Sequence, residues 1–178
     1  MSSRASWVRL AGIVGFAVAL GAASQVAIPI PGTPVPLTLQ PLMVVLAGMW
    51  LGPGAGVTSM VLYLTLGALG LPVFSPVALP GGVARIVGPT GGYLLAYPLA
   101  AFVAGTIAAR GDNLFWRWLA ACAGIAMIFI GGIAQLTVLE GNLARAVATG
   151  LTPFAALDLV KAFIAALLSG RRAGPNET

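Results

Sequence analysis

Apolar residues run along this chain in six segments, at about 10–28, 41–52, 54–71, 90–109, 115–139 and 153–169, separated by short stretches rich in proline, glycine and charge. Runs of this length without period-two alternation predict helices that are apolar on every face, as segments bathed in lipid should be. A helix that crosses a bilayer needs about 20 residues, and the second and third segments together hold only about 30. Gly52-Pro53-Gly54 divides those two, a helix break and tight turn. Either they are two short or tilted helices, or one of them is re-entrant.

Composition places these segments in a membrane. The 178 residues include nine basic and four acidic side chains, 59% are hydrophobic, and the mean hydropathy is +1.01. A soluble domain carries about 25% charged residues, so there is too little polar surface here to coat a soluble globule. The net charge of +5 is therefore read against the segments and not as a nucleic-acid patch. Arg4 and Arg9 precede the first segment, Arg110 and Arg117 bracket the turn between the fourth and fifth, and Arg171 and Arg172 follow the sixth. Six crossings bring all three pairs to one side, the cytoplasmic side by the positive-inside rule, whereas five would set the first pair against the other two. The expectation is an all-α integral membrane protein: one membrane domain over residues 1–178, six transmembrane helices, both termini cytoplasmic. With no histidine and one cysteine, Cys122 in an apolar run, disulfides within the chain and histidine- or thiolate-based metal sites are excluded.

The start of the chain supports two readings. Basic residues, an apolar stretch and Gly21-Ala22-Ala23-Ser24 fit a cleaved signal peptide. Against that, Ala11, Gly15, Ala19 and Ala23 form a ladder at every fourth position, the pattern that lets helices approach closely in lipid, and a disposable segment has no use for such a face. The ladder serves either a partner or the chain's own bundle, as a similar one in the fourth segment does (Gly92, Ala96, Ala100, Ala104, Ala108).

Six crossings leave three outside loops. The first, Ile28–Pro41, holds five prolines and predicts a stiff, extended backbone with few internal hydrogen bonds, either a lid offering Thr33, Thr38 and Gln40 to a pocket or a plain connector. The second, Gly70–Gly88, contains prolines 72, 76 and 80 and the isolated Arg85, and leads into Gly88-Pro89-Thr90-Gly91-Gly92-Tyr93. There Pro89 and Thr90 suit a helix start, and the glycines permit close backbone approach. The third, Glu140–Thr152, carries Glu140, Asn142 and Arg145 on a short helix. GGVARIVGPTGG lacks the Gly-Lys-Ser/Thr ending of a phosphate-binding loop, so energy for uphill movement must come from a partner or an ion gradient.

Inside the last segment Asp158 and Lys161 stand three residues apart among Leu, Ala, Phe, Val and Ile. Each charge costs roughly 2.5–3.5 kcal/mol in a membrane span even on the mild insertion scale. On a helix they project from one face, and they either neutralise each other or clamp a polar ligand.

PVPLTLQ at 34–40, GPTGGY at 88–93 and PFxxxDxxK at 153–161 occur in that order. With these signatures the chain resembles the BioY family, biotin-binding S components of energy-coupling factor (ECF) transporters, over nearly its whole length. The stretch Ser75–Pro80 departs from the shorter glycine-rich loop of that pattern, which leaves the alignment of Arg85 open. The resemblance implies an S-component fold in a prokaryotic cytoplasmic membrane, biotin as substrate with no cofactor, and a transmembrane coupling subunit with two cytoplasmic ATPases as partners. It also implies docking through the first helix, where Ala19 and Ala23, with Gly15, match the alanine-xxx-alanine spacing.

Biotin's chemistry fits these residues. Its ureido ring offers two N–H donors and a carbonyl, which Asp158 and Lys161 can meet, and Arg85 suits the valerate carboxylate. Gly91, Gly92 and Tyr93 are placed at the apolar ring, although Tyr93 also fits an interfacial aromatic belt. Trp116 and Trp118 read as interface anchors. A membrane enzyme lacks a nucleophile or metal constellation. A proton-coupled secondary transporter acting through Asp158 is the remaining alternative, without the internal repeat such folds often show.

Overall fold

The computed structural model describes residues 2–77 and 81–170. Along them run α1 (Ser2–Gln25), β1 (Ala27–Ile28), β2 (Leu37–Thr38), α2 (Gln40–Leu51), α3 (Pro53–Ala68), α4 (Val83–Val87), α5 (Gly91–Ala108), α6 (Leu114–Glu140), α7 (Leu143–Gly150) and α8 (Ala155–Leu168). Pro41 and Pro53 fall in the first turns of α2 and α3, where a missing N–H costs nothing. Between them Gly52 takes φ 83°, a conformation that glycine reaches without strain. Asn113 caps α6 by accepting from Trp116 N at 2.9 Å, and Asn142 caps α7 by accepting from Arg145 N at 3.0 Å.

Contacts fix the two ends of the bundle. At one end Gly12 packs on Leu51, the Arg9 guanidinium lies beside Gly54, Gly105 meets Pro53, and Arg117 meets Gly170. At the other, the Ser24 hydroxyl donates to the Val73 carbonyl at 2.6 Å, and the Gln135 amide donates to that of Gly88 at 2.6 Å. Successive long helices therefore alternate in direction. The hairpin, α4 and α7 all lie at the second end, while Arg9 and Arg117, from two of the basic pairs, share the first. Arg171, Arg172 and Pro80 lie outside the described residues.

Among the described residues three helices, α1, α5 and α6, are long and apolar enough to cross a bilayer, and α7 with α8 makes a fourth if that pair, bent by 54°, is one broken span. The sixth apolar segment, expected at about 153–169, forms α8 from Ala155 to Leu168, and the short helix expected in the loop before it is α7. Between Leu39 and Leu69 the chain forms two separate helices, of 12 and 16 residues, about 18 and 24 Å long at 1.5 Å per residue. The first loop departs from expectation. It closes into an antiparallel hairpin pairing Ala27 with Thr38 and Ile28 with Leu37, with prolines 29, 31, 34 and 36 in the connection, where no ladder N–H is needed.

Close backbone packing joins α5 to α6. A Cβ on Gly131 would fall on the Gly92 carbonyl and the Ala96 methyl, and one on Gly124 would crowd Ala104. α1 joins the bundle through a different stripe, Ala17, Leu20 and Ser24, with Ser59 donating to the Ile13 carbonyl at 2.8 Å. Its ladder is turned away: Ala11 and Gly15 are exposed and Ala19 and Ala23 half-buried.

Candidate functional site

A cavity opens at the hairpin end, walled by β2 and its approach, α4, α5, α6 and the start of α8. Thr90, Tyr93, Leu94 and Tyr97 line it from α5, positions 0, 3, 4 and 7 of one helical stripe. Its empty space, including the open mouth, is about 610 Å³.

α8 supplies the ion pair. Asp158 sits in the first turn, where the helix dipole favours a carboxylate. Lys161 follows nearly one turn later and donates to Asp158 Oδ1 at 2.5 Å. Both side chains line the cavity and both are buried, at 5% and 8% exposure. Such a pair is neutral overall but keeps spare carboxylate lone pairs and ammonium protons, so it can accept from a neutral donor and donate to a neutral acceptor at once.

Arg85 lies in α4, 2% exposed and lining the same cavity. It is not a solvated loop charge. Its guanidinium donates to the Val77 carbonyl at 2.7 Å and to the Ser75 carbonyl, so the loop that departs from the family pattern is the one that grips it. Burial pulls its pKa down from the ordinary guanidinium value. A guanidinium in a cavity wall suits a carboxylate, which can accept paired N–H donors from it.

Thr38 and Gln40 also line the cavity. Thr38 Oγ1 donates to Gln40 Oε1 at 3.1 Å, and Gln40 Nε2 donates to the Tyr63 hydroxyl at 2.7 Å. Tyr93 presents its ring to the cavity, but its hydroxyl donates to the Gly150 carbonyl at 2.8 Å and ties α5 to α7. Tyr93 is thus buried, at 7% exposure, and is not part of an interfacial belt. Gly91 and Gly92 are placed elsewhere than expected. They do not line the cavity; a Cβ on Gly91 would strike the Ile86 carbonyl and one on Gly92 the Gly131 carbonyl, so they allow the α4–α5 connection and α6 to close in. Glu140 and Arg145 pair at 3.6 Å away from the cavity lining.

Sequence reasoning missed the aromatic wall. Phe74, Tyr97, Phe129 and Phe154 line the cavity, and Tyr63 stacks edge-on to Phe74 at 5.4 Å. In apolar runs such rings read as packing, and only the spacing of 93, 94 and 97 after Thr90 carried a signal. Gln135 was missed too; its amide holds the carbonyls of Ile86, at 3.1 Å, and Gly88.

Comparisons with known proteins agree with one another. A family model described as the BioY family matches residues 1–174. A relative from Pyrococcus horikoshii, named probable biotin transporter BioY, is 43% identical over 141 residues, covering 79% of this chain and 82% of the relative. One from Thermotoga maritima, named biotin transporter BioY, is 39% identical over 144 residues, covering 81% and 84%. The crystal structure of an S-component for biotin from an ECF-type ABC transporter matches with a TM-score of 0.87 at 26% identity, over 96% of this chain and 93% of that one.

Proposed function

The chain belongs to the BioY family, and from that premise we propose that it is the biotin-capturing S component of an ECF importer. It binds substrate and performs no chemistry on it. The observation that carries this reading is the buried Asp158–Lys161 pair facing a cavity whose other cation is Arg85. The ureido N–H groups donate to Asp158, the ureido carbonyl accepts from Lys161, the aromatic wall takes the thioether ring, and Arg85 meets the carboxylate.

Transport requires partners: a transmembrane coupling subunit and two cytoplasmic ATPases. Two features support this, the lack of any phosphate-binding loop in the sequence and the outward-facing small residues of α1. The coupling subunit docks on that face at Gly15, Ala19 and Ala23. In the bilayer of a prokaryotic cytoplasmic membrane the six long and short helices cross in alternation, with Arg9, Arg110 and Arg117 inside and the cavity outside. A cysteine at position 113 should resist labelling from outside intact cells.

Thermal stabilisation of the detergent-purified chain across a vitamin panel tests the capture reading, because a ligand of the native state alone shifts stability by mass action. Biotin should stabilise, and Asp158→Asn and Lys161→Ala should each abolish the shift. Leaving one charge of a buried pair unpaired typically costs about 3–5 kcal/mol, so some intrinsic stability goes with it. A single variant that binds biotin like the wild type would reduce the pair to a structural pin and overturn the ligand assignment.

A further inference from the structure

A hydroxyl that gives up water on burial almost always gains a partner in the fold, because an unmet one keeps the whole desolvation penalty. Thr90 departs from this rule. It is 8% exposed and lines the cavity, and its Oγ1 has no hydrogen-bond partner among the described residues. It stands at the N-cap of α5, where a threonine oxygen ordinarily accepts from a first-turn N–H, and it makes no such bond. Apart from the Tyr97 hydroxyl, its neutral and acidic neighbours in the cavity are engaged: Thr38 with Gln40, Gln40 with Tyr63, Tyr93 with Gly150, Asp158 with Lys161.

We infer that Thr90 is a further ligand-binding residue, whose hydroxyl donates to the carboxylate of the bound acid beside Arg85. This rests on the capture reading above. Arg85 and Thr90 flank one short connection, and Gln135 clamps that connection by both the Ile86 and Gly88 carbonyls. The two side chains are thereby held in a fixed relation, and both enter the same cavity. A carboxylate only accepts hydrogen bonds and has room for several donors. The guanidinium supplies some of them, and the Thr90 hydroxyl, unmet among the described residues, supplies another.

The test compares Thr90→Val, which keeps the shape and deletes the donor, with Thr90→Ser, which keeps the donor. Affinities for biotin and for neutral biotin amide are measured together with the stability of the empty protein. Thr90→Val should weaken biotin by about tenfold or more, the worth of a hydrogen bond to a charged group, and the amide by much less. Thr90→Ser should stay close to wild type. The empty Thr90→Val protein should be no less stable than wild type, since it no longer buries an unmet hydroxyl. Unchanged biotin affinity in Thr90→Val, or a destabilised empty protein with equal loss in both variants, makes Thr90 structural and overturns the inference. Equal weakening of acid and amide overturns its placement at the carboxylate. Failure of the wild type to bind biotin removes the capture reading itself.

Discussion

Two helices of this protein carry the same ladder of small residues and use it in opposite ways. On α5, Gly92, Ala96, Ala100 and Ala104 are buried, at 8% exposure or less where the side chain bears a methyl. On α1, Ala11 and Gly15 are exposed, and a Cβ added at Gly15 would meet nothing within 4 Å. The spacing is identical; what differs is the surface opposite. α6 brings Gly124 and Gly131 to meet the α5 ladder, and none of the described residues covers the outer half of the α1 ladder. Lipid tails are as apolar as leucine, so a small-residue face gains little from lipid and much from a close helix. The contrast separates a seam that builds the fold from a small-residue face that the described residues leave uncovered, the face proposed above for the coupling subunit.

The largest effect should follow from bulk in the buried seam. Gly131→Leu would drive a side chain into the Gly92 carbonyl and the Ala96 methyl. Overpacking of this kind costs typically 1–3 kcal/mol and here displaces backbone, so the upper end or beyond is expected. The variant should lose monodispersity in detergent and biotin binding together. Normal binding and stability would mean that the α5–α6 approach is looser than described.

The inward packing of the α5 ladder was expected from the sequence, but spacing alone left the α1 ladder between a partner and the bundle, because a ladder names a face without naming what meets it. The long helices α1, α5 and α6 were legible within a few residues, except at the start of α1, since their apolar runs are long and bounded by proline, glycine or charge. The Asp158–Lys161 pair was legible because charge is rare in such runs, and Arg85 because it stood alone in its loop. The hairpin was not, because its register joins residues nine and eleven apart across four prolines. The division between α7 and α8 was legible at Thr152-Pro153, but the 54° angle between them was not. Gly91 and Gly92 were assigned to the ligand because glycine signals close approach, but the sequence could not say that a carbonyl and a neighbouring helix approach there.

A smaller structural effect with a large functional one is expected on α1. Ala19→Trp places bulk on the half-buried outer face, so docking on the coupling subunit should fail while the cavity at Asp158, Lys161 and Arg85 stays intact. Uptake and co-purification of the coupling subunit should be lost, and biotin binding by the isolated chain kept. Val18→Trp, at a position 62% exposed beside the ladder, is the control for bulk on the same helix. Lost binding with assembly preserved would make α1's ladder a second internal seam and dissolve the contrast.

The smallest effect compares one substitution at two glycines. Gly→Ala in a helix interior gains roughly 0.5–1 kcal/mol from reduced chain entropy when the methyl has room. At Gly15 it has room; at Gly131 it would fall on the Gly92 carbonyl and the Ala96 methyl. Gly15→Ala should therefore stabilise the isolated chain slightly, and Gly131→Ala should destabilise it, both read from unfolding in the same detergent. Because alanine is still small, Gly15→Ala should retain assembly with the coupling subunit. If Gly15→Ala instead destabilises the isolated chain, the outer face of α1 is already packed against something in the free protein, and a second copy of the chain, visible as a dimer by light scattering, becomes the occupant to examine.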